Sequence, residues 1–409
     1  MSRVVVVGAG MAGLRAAEQL RASGWSDEVL VLGQEPHAPY NRPPLSKEAL
    51  SGMGAEDPQT WADKLAVRQR PSVADVEWRL GTEVVGADLG ARRVTCADGT
   101  EVGYDGLVIA SGIRSRRLSI DGPAGGRFTL RTLADAVALQ PALRPGARVV
   151  VVGGGFIGCE VAATATAMGC RVTVVEPLSG CLQRGLGDLV GGLVQSYLSG
   201  YGIRMLTGRT VRDLHPVPGR PDRVGSVVLD DDTVLPADVV VEAVGSTPNV
   251  EWLADNGLDL TDGVLCDERL RAAGRSEVVA VGDVARFVNP RFDEVARRVE
   301  HWCIPTDTAR FAAGSLVRAL HDLPDDRPRF APMSSFWSDQ LELRIQSFGA
   351  PGLADEVTVV DGSPDPCALT DGLIAHYRRG GRLVGVVLVN APANRHREQR
   401  ELVSASCPG

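Results

Sequence analysis

The sequence predicts an α/β chain with two doubly wound parallel sheets, the second inserted within the first, and a smaller C-terminal α/β domain. Three observations predict it. Two unbroken runs of β-branched residues, 4–7 and 149–152, lead directly into G-x-G-x-x-G, at Gly8, Gly10 and Gly13 and again at Gly153, Gly155 and Gly158. Each fingerprint precedes a helical stretch and a second apolar strand, and the two units lie about 145 residues apart. The last ~80 residues carry no such fingerprint. Continuous β-branched runs mark strands buried on both faces of a parallel sheet. Strand, glycine turn, helix and strand in register make a Rossmann-like unit.

The glycines have separate tasks. The first permits the tight turn, the second lets the backbone approach a pyrophosphate, and the third lets the helix pack close to the strand. The helix N-terminus then offers free N–H groups to the phosphates. In the second unit the strand 171–175 ends at Glu176, 18 residues after Gly158, where a carboxylate can accept from both hydroxyls of an adenosine ribose. In the first unit the helix is 14–22 and the next strand 29–32, and the acid position is blurred: Gln34 lies 21 residues after Gly13, and Glu35 follows. Two dinucleotide folds suggest two dinucleotides. The economical pair is a bound flavin and a diffusing nicotinamide, with a hydride passing between them.

At 409 residues and 44% hydrophobic content, the chain is an ordinary globular protein of two or three domains. No apolar run reaches a membrane span, and Met1-Ser2-Arg3 enters a strand with no room for a signal peptide, so the expectation is a cytoplasmic protein without a membrane segment. A net charge of −8 argues against nucleic-acid binding. The eight cysteines form no C-x-x-C and no zinc pattern, which predicts free, mostly buried thiols and no metal site. Only two residues are lysine, Lys47 and Lys64, which makes a lysine within a motif informative.

Along the chain, the segment 37–50, HAPYNRPPLSKEAL, is too rich in proline for regular structure. It reads as a rigid loop followed by a short helix that Ser46 would cap. Such a loop leaves the sheet at its ligand crevice. There Arg42 and Lys47 would meet a flavin ring or pyrophosphate, or else be solvated surface charges. The residues leave both open. Residues 73–110 read as short strands around turns, with a hairpin at Asp98-Gly99 and a buried strand 107–110 that ends at Ser111-Gly112. The pattern recurs at 227–245, where the strand 239–244 ends at Gly245. A linker, 113–128, joins the units, and Ser246-Thr247-Pro248 crosses back. The strand 278–281 ends in Gly282-Asp283, where the carboxylate would bond a ribityl or phosphate group or serve as a turn cap. The C-terminal part predicts strands at 341–349, 355–360, 372–378 and 382–390, then an amphipathic helix over 394–405.

These motifs resemble a known family. GAGMAG, PYNRPPLSK, LRTLADA, VVGGGFIGCEVAATA, AVGDVA, VEHW and FWSDQ together are similar to the NADH-dependent, FAD-containing ferredoxin reductases of the glutathione-reductase fold. The resemblance implies an FAD-binding domain at 1–117 and 246–324, an NAD-binding domain at 118–245, and a C-terminal domain at 325–409. It implies that Gly8, Gly10, Ala12, Gly13, Gln34, Glu35, Arg42, Lys47, Val84, Ser111, Gly112, Arg131, Asp283 and Trp302 serve FAD. Gly153, Gly155, Phe156, Ile157, Gly158, Glu160, Glu176, Arg184 and Gly245 would serve NAD, with Glu160 on the nicotinamide carboxamide and close to Lys47. These two are the implied catalytic residues. Departures from the family pattern are Gln34 in place of an acid, Ser111 in place of threonine, and Pro305, Thr308 and Ala309 after VEHW.

No C-x-x-x-x-C occurs in the first unit, and the first cysteine is Cys96, so a thiol–disulfide relay there is not expected. Electrons would leave the flavin directly for a [2Fe–2S] ferredoxin, and so for an oxygenase of the cytochrome P450 or Rieske type. Arg114, Arg116, Arg117, Arg291, Arg297 and Arg298 are docking candidates or plain solvated surface. Monomer and homodimer both remain open. The alternatives are an NADH oxidase and a redox-responsive flavoprotein that holds reduced flavin against bound NAD.

Overall fold

The computed structural model describes residues 2–54 and 57–408. The first valine run forms the strand Arg3–Val7, the centre of a five-stranded parallel sheet. It pairs on one side with Glu28–Gly33, and beyond that with Glu77–Leu80. On the other side lie Gly106–Ile109 and then Val278–Ala280. Val4, Val5 and Val6 are fully buried, as a strand covered on both faces requires.

The second unit repeats this plan. Arg148–Val152 is central, flanked by Arg171–Glu176 and Arg204–Thr207 on one side. Val239–Glu242 and the two-residue strand Arg127–Phe128 complete the other side. The expected linker is therefore shorter than 113–128, because its last two residues are a sheet edge. Its first three, Ile113–Ser115, pair antiparallel with Ser246–Pro248, so the chain enters and leaves the second unit through one two-stranded ribbon. Each unit also carries a three-stranded antiparallel sheet, built from 84–103 in the first and 211–236 in the second. A further small sheet, Val264–Leu265, Ala285–Val288 and Ala296–Arg298, was not expected from the sequence. It leads the chain to His301 and Trp302.

The C-terminal domain is a five-stranded antiparallel sheet in the order 335–340, 343–349, 382–389, 373–379, 356–362. FWSDQ belongs to its edge strand, Ser335–Gln340, one strand earlier than the sequence reading began the sheet. Leu343, Ile345, Ala375 and Tyr377 from this sheet share one core with Leu186, Val190 and Val194 of the helix Gln183–Gly200. Tyr377 adds a hydrogen bond from its hydroxyl to the Leu186 carbonyl, at 2.6 Å. The terminal helix, Ala393–Ser406, is polar on nearly all sides and buries only Gln399 and Val403, less of an apolar face than the pattern suggested.

Candidate functional site: a cleft shared by both glycine turns

Both fingerprints open into one cleft of about 1660 Å³. All the site residues read from the sequence line it except Gly13 and Gly158. Those two are the third glycines of their fingerprints, and their place is against the strand. A Cβ on Gly13 would meet the Gly8 carbonyl oxygen at 1.8 Å, and one on Gly158 would meet that of Gly153 at 1.9 Å. By contrast, a Cβ on Gly10 or Gly155 would meet nothing within 4 Å. That open space lies at the N-termini of the helices Met11–Ala22 and Phe156–Ala167, where a pyrophosphate would sit.

Lys47 and Glu160 meet across the two units. The proline loop ends in the 3₁₀ turn Pro43–Ser46, which delivers Lys47 so that its Nζ lies 2.8 Å from Glu160 Oε2. Both side chains are largely buried, at 14% and 4% exposure. Ser46 does not cap the helix Glu48–Gly52, as its position suggested. Its hydroxyl donates to Glu160 Oε2 at 2.6 Å, and its carbonyl accepts from Thr164 Oγ1 at 2.7 Å. A third donor comes from the C-terminal domain: Ser338 Oγ reaches Glu160 Oε1 at 2.5 Å.

On the first-unit side, Gln34 is exposed at the rim and donates its amide to Glu83 at 3.0 Å. Glu35 is turned away from a ribose role, toward Arg42 and the Tyr40 hydroxyl. Burial pushes its carboxyl up, but the Arg42 charge and the Tyr40 hydrogen bond hold it below the usual range. Arg42 also donates to the Arg131 carbonyl at 2.8 Å, so the loop is locked to the second unit. Arg131 pairs with Asp283 at 2.9 Å, while its Nε is buried without a partner. Burial raises the Asp283 carboxyl against the pull of Arg131. Ser111 spends its hydroxyl on the Asn249 carbonyl at 2.7 Å, and the Asn249 amide returns to the Ser111 carbonyl at 2.9 Å. Sequence reading had no signal for Asn249.

On the second-unit side, Glu176 is buried and takes two backbone N–H groups, Gly154 at 2.6 Å and Leu178 at 2.9 Å. It thereby fixes the glycine turn itself. Arg184 is exposed on the cleft wall. Aromatic side chains from all three domains close the centre: His301 and Phe156 lie 4.9 and 4.8 Å from Phe336, and Trp302 lies 5.0 Å from Trp337. Burial pushes the His301 imidazole down to about 4, so it is neutral at pH 7, and its Nδ1 lacks a partner. Of the departures after VEHW, only Pro305 lines the cleft. Thr308 is buried, where its hydroxyl accepts from the Gly282 N–H at 2.9 Å, and Ala309 packs in the core.

The suggested docking arginines are mostly engaged within the chain. Arg114 pairs with Glu251, Arg297 with Asp293, and Arg298 with Asp262 and Glu300. Arg291 serves the carbonyls of Ala331 and Cys407. Arg116 and Arg117 remain exposed.

The open second glycines, the orphaned Arg131 Nε and the donor-rich walls fit two dinucleotides meeting at Lys47 and Glu160. Comparison with known proteins agrees. Residues 2–305 match the family described as pyridine nucleotide-disulphide oxidoreductase, and residues 335–408 match a reductase C-terminal domain. The chain is 35% identical, over 99% of its length and 95% of the relative's, to the ferredoxin–NAD(+) reductase component of the anthranilate 1,2-dioxygenase system of Burkholderia cepacia. The solved covalent putidaredoxin reductase–putidaredoxin complex matches with a TM-score of 0.87 at 30% identity, covering 98% of this chain and 93% of that one. The ferredoxin reductase for the CYP199A2 system of Rhodopseudomonas palustris matches with a TM-score of 0.86 at 32% identity, covering 97% and 93%. Such proteins bind FAD and use NADH, the two cofactors expected from the sequence. The chain belongs to the pyridine nucleotide-disulphide oxidoreductase family.

Proposed function

We propose that this chain carries electrons from NADH, through bound FAD, to a [2Fe–2S] ferredoxin that supplies a cytochrome P450 or Rieske-type oxygenase. The observation that carries this reading is the Lys47–Glu160 pair, which joins the loop of one unit to the fingerprint helix of the other inside a single cleft. No cysteine lines that cleft among the described residues, and all eight are free, which supports direct electron release over a disulfide relay. FAD, held there, would supply the conversion of a hydride's electron pair into the single electrons that an iron–sulfur acceptor requires. The residues supply the rest. Lys47 brings positive charge to the place where negative charge develops. Glu160 accepts from the nicotinamide carboxamide and fixes its orientation. Arg131 and Asp283 hold the FAD phosphate and ribityl region, and the aromatic cluster excludes water.

Relatives that act in dioxygenase and CYP199A2 systems support the partner assignment. The docking face we assign differs from the arginines first singled out. A second cavity of about 620 Å³ shares Trp302 with the first, and this ring is 48% exposed. Its other walls include Arg68, the Arg15 and Arg70 side chains that share Glu18, and Asp307. Three arginines share one buried glutamate and one wall aspartate there, so the net charge beside the exposed ring is positive, with Arg68 its unshared part among the described residues. This suits an acidic one-electron partner. Arg68→Glu is expected to raise the KM for ferredoxin about tenfold and weaken its salt dependence, with reduction by NADH unchanged. Steady-state ferredoxin assays at several ionic strengths check this, and an unchanged KM moves the docking face elsewhere.

Glu176 also sets cofactor preference. A 2′-phosphate would meet its buried carboxylate, and residues 177–181 contain no arginine to offset the repulsion. kcat/KM for NADH is expected to exceed that for NADPH by at least about 100-fold. Comparable values would contradict the assignment. A cytoplasmic location fits free thiols, and no described helix is long and apolar enough to cross a membrane. Both monomer and homodimer satisfy the scheme.

A further inference from the structure

FWSDQ lies on the edge strand of the C-terminal sheet. Its strand packs on the helix Phe156–Ala167, and strand alternation puts Phe336, Ser338 and Gln340 on the face toward that helix. Ser338 and Gln340 are fully buried. Gln340 Nε2 donates to Ser338 Oγ at 3.2 Å, and Ser338 Oγ lies 2.5 Å from Glu160 Oε1. A serine hydroxyl has one proton. With a lone pair of the oxygen taken by the Gln340 amide, that proton goes to the carboxylate. The result is a polarised chain, N–H to O–H to O⁻, in which each bond strengthens the next. Lys47 and Ser46 hold the other carboxylate oxygen. A glutamate carboxylate turns easily about its last torsion, so donors on both oxygens are what fix its plane.

We propose that Ser338, oriented by Gln340, is a positioning residue through which the C-terminal domain sets the Glu160 carboxylate for the nicotinamide. This rests on the reading of Glu160 as the group that faces the nicotinamide. It assigns the C-terminal domain a part in nucleotide binding.

The test uses two ligands that do not reduce the flavin. NAD⁺ carries the nicotinamide, and ADP-ribose has the same adenosine and pyrophosphate without it. Calorimetric titration of the oxidised FAD-loaded protein gives both dissociation constants. Ser338→Ala is expected to weaken NAD⁺ about tenfold, the usual effect of one lost charge-assisted hydrogen bond. ADP-ribose should stay within about twofold. Gln340→Leu, which nearly keeps the volume, is an independent variant and should shift NAD⁺ in the same direction by less. In a Glu160→Gln background the Ser338→Ala effect should shrink to within about twofold. Equal weakening of both ligands, or a full effect that persists without the carboxylate, would reveal a merely structural serine and overturn the proposal. Unaltered NAD⁺ binding in Ser338→Ala overturns it too, and leaves the Glu160 reading intact if Glu160→Gln weakens NAD⁺. Should Glu160→Gln leave NAD⁺ unaffected, that reading falls and this inference falls with it.

Discussion

Replacing Lys47 with methionine is expected to slow reduction of the flavin by NADH about a hundred- to a thousandfold, the effect of removing one preorganised charge from a reaction centre. It should also destabilise the protein. Glu160 is only 4% exposed, and without the ammonium 2.8 Å away its carboxylate keeps two hydroxyl donors and no countercharge. Breaking a buried pair from one side typically costs about 3–5 kcal/mol. The double variant Lys47→Met, Glu160→Leu separates the two effects. Replacing a buried pair with apolar side chains is often neutral or stabilising, so melting should return close to wild type. The slow reduction should not recover. Thermal melting and anaerobic stopped-flow bleaching read the two quantities independently. A double variant that recovers both stability and rate would make the pair structural.

The glycine turns supply the second large effect. Gly155→Ala puts a methyl into space where no protein atom lies within 4 Å, on a backbone with φ of −76° that alanine adopts freely. The fold should tolerate it, with a loss of no more than about 1 kcal/mol from the weaker N-cap. NADH binding should weaken at least about 100-fold, because the methyl occupies the pyrophosphate's approach and two charge-assisted hydrogen bonds are lost. FAD content should be unchanged. Gly10→Ala is the mirror experiment and should give a folded, colourless protein. Gly158→Ala differs in kind, because its methyl would lie 1.9 Å from the Gly153 carbonyl oxygen. The backbone must move, so stability and NADH binding should fall together. Spectra, melting curves and NADH titrations distinguish the three. Loss of stability in Gly155→Ala would mean that the open space serves the fold rather than a ligand.

The contrast between these glycines was legible in the sequence because the fingerprint encodes local geometry: strand, turn and helix lie within some ten residues of one another. The repeat was legible for the same reason. What escaped was fixed by distant partners. Ser46 looks like a helix cap from its neighbours, yet its acceptor is 114 residues away. Ser338 reaches Glu160 across 178 residues. Neither separation leaves a periodic trace. The edge strand Arg127–Phe128 is two residues long, too short to show any period. The pairing of most of the suggested docking arginines escaped for another reason. An arginine in sequence carries a charge, but Arg114 and Arg297 are already paired within the chain, and only tertiary structure reveals this.

The most direct measurement is anaerobic titration of the purified yellow protein with NADH, followed by a [2Fe–2S] ferredoxin. Bleaching at one equivalent of NADH, then recovery of the oxidised flavin spectrum as ferredoxin is reduced, is the expected result. Bleaching into a stable long-wavelength complex that ferredoxin does not discharge would contradict electron transfer and indicate a protein that responds to NADH by holding it.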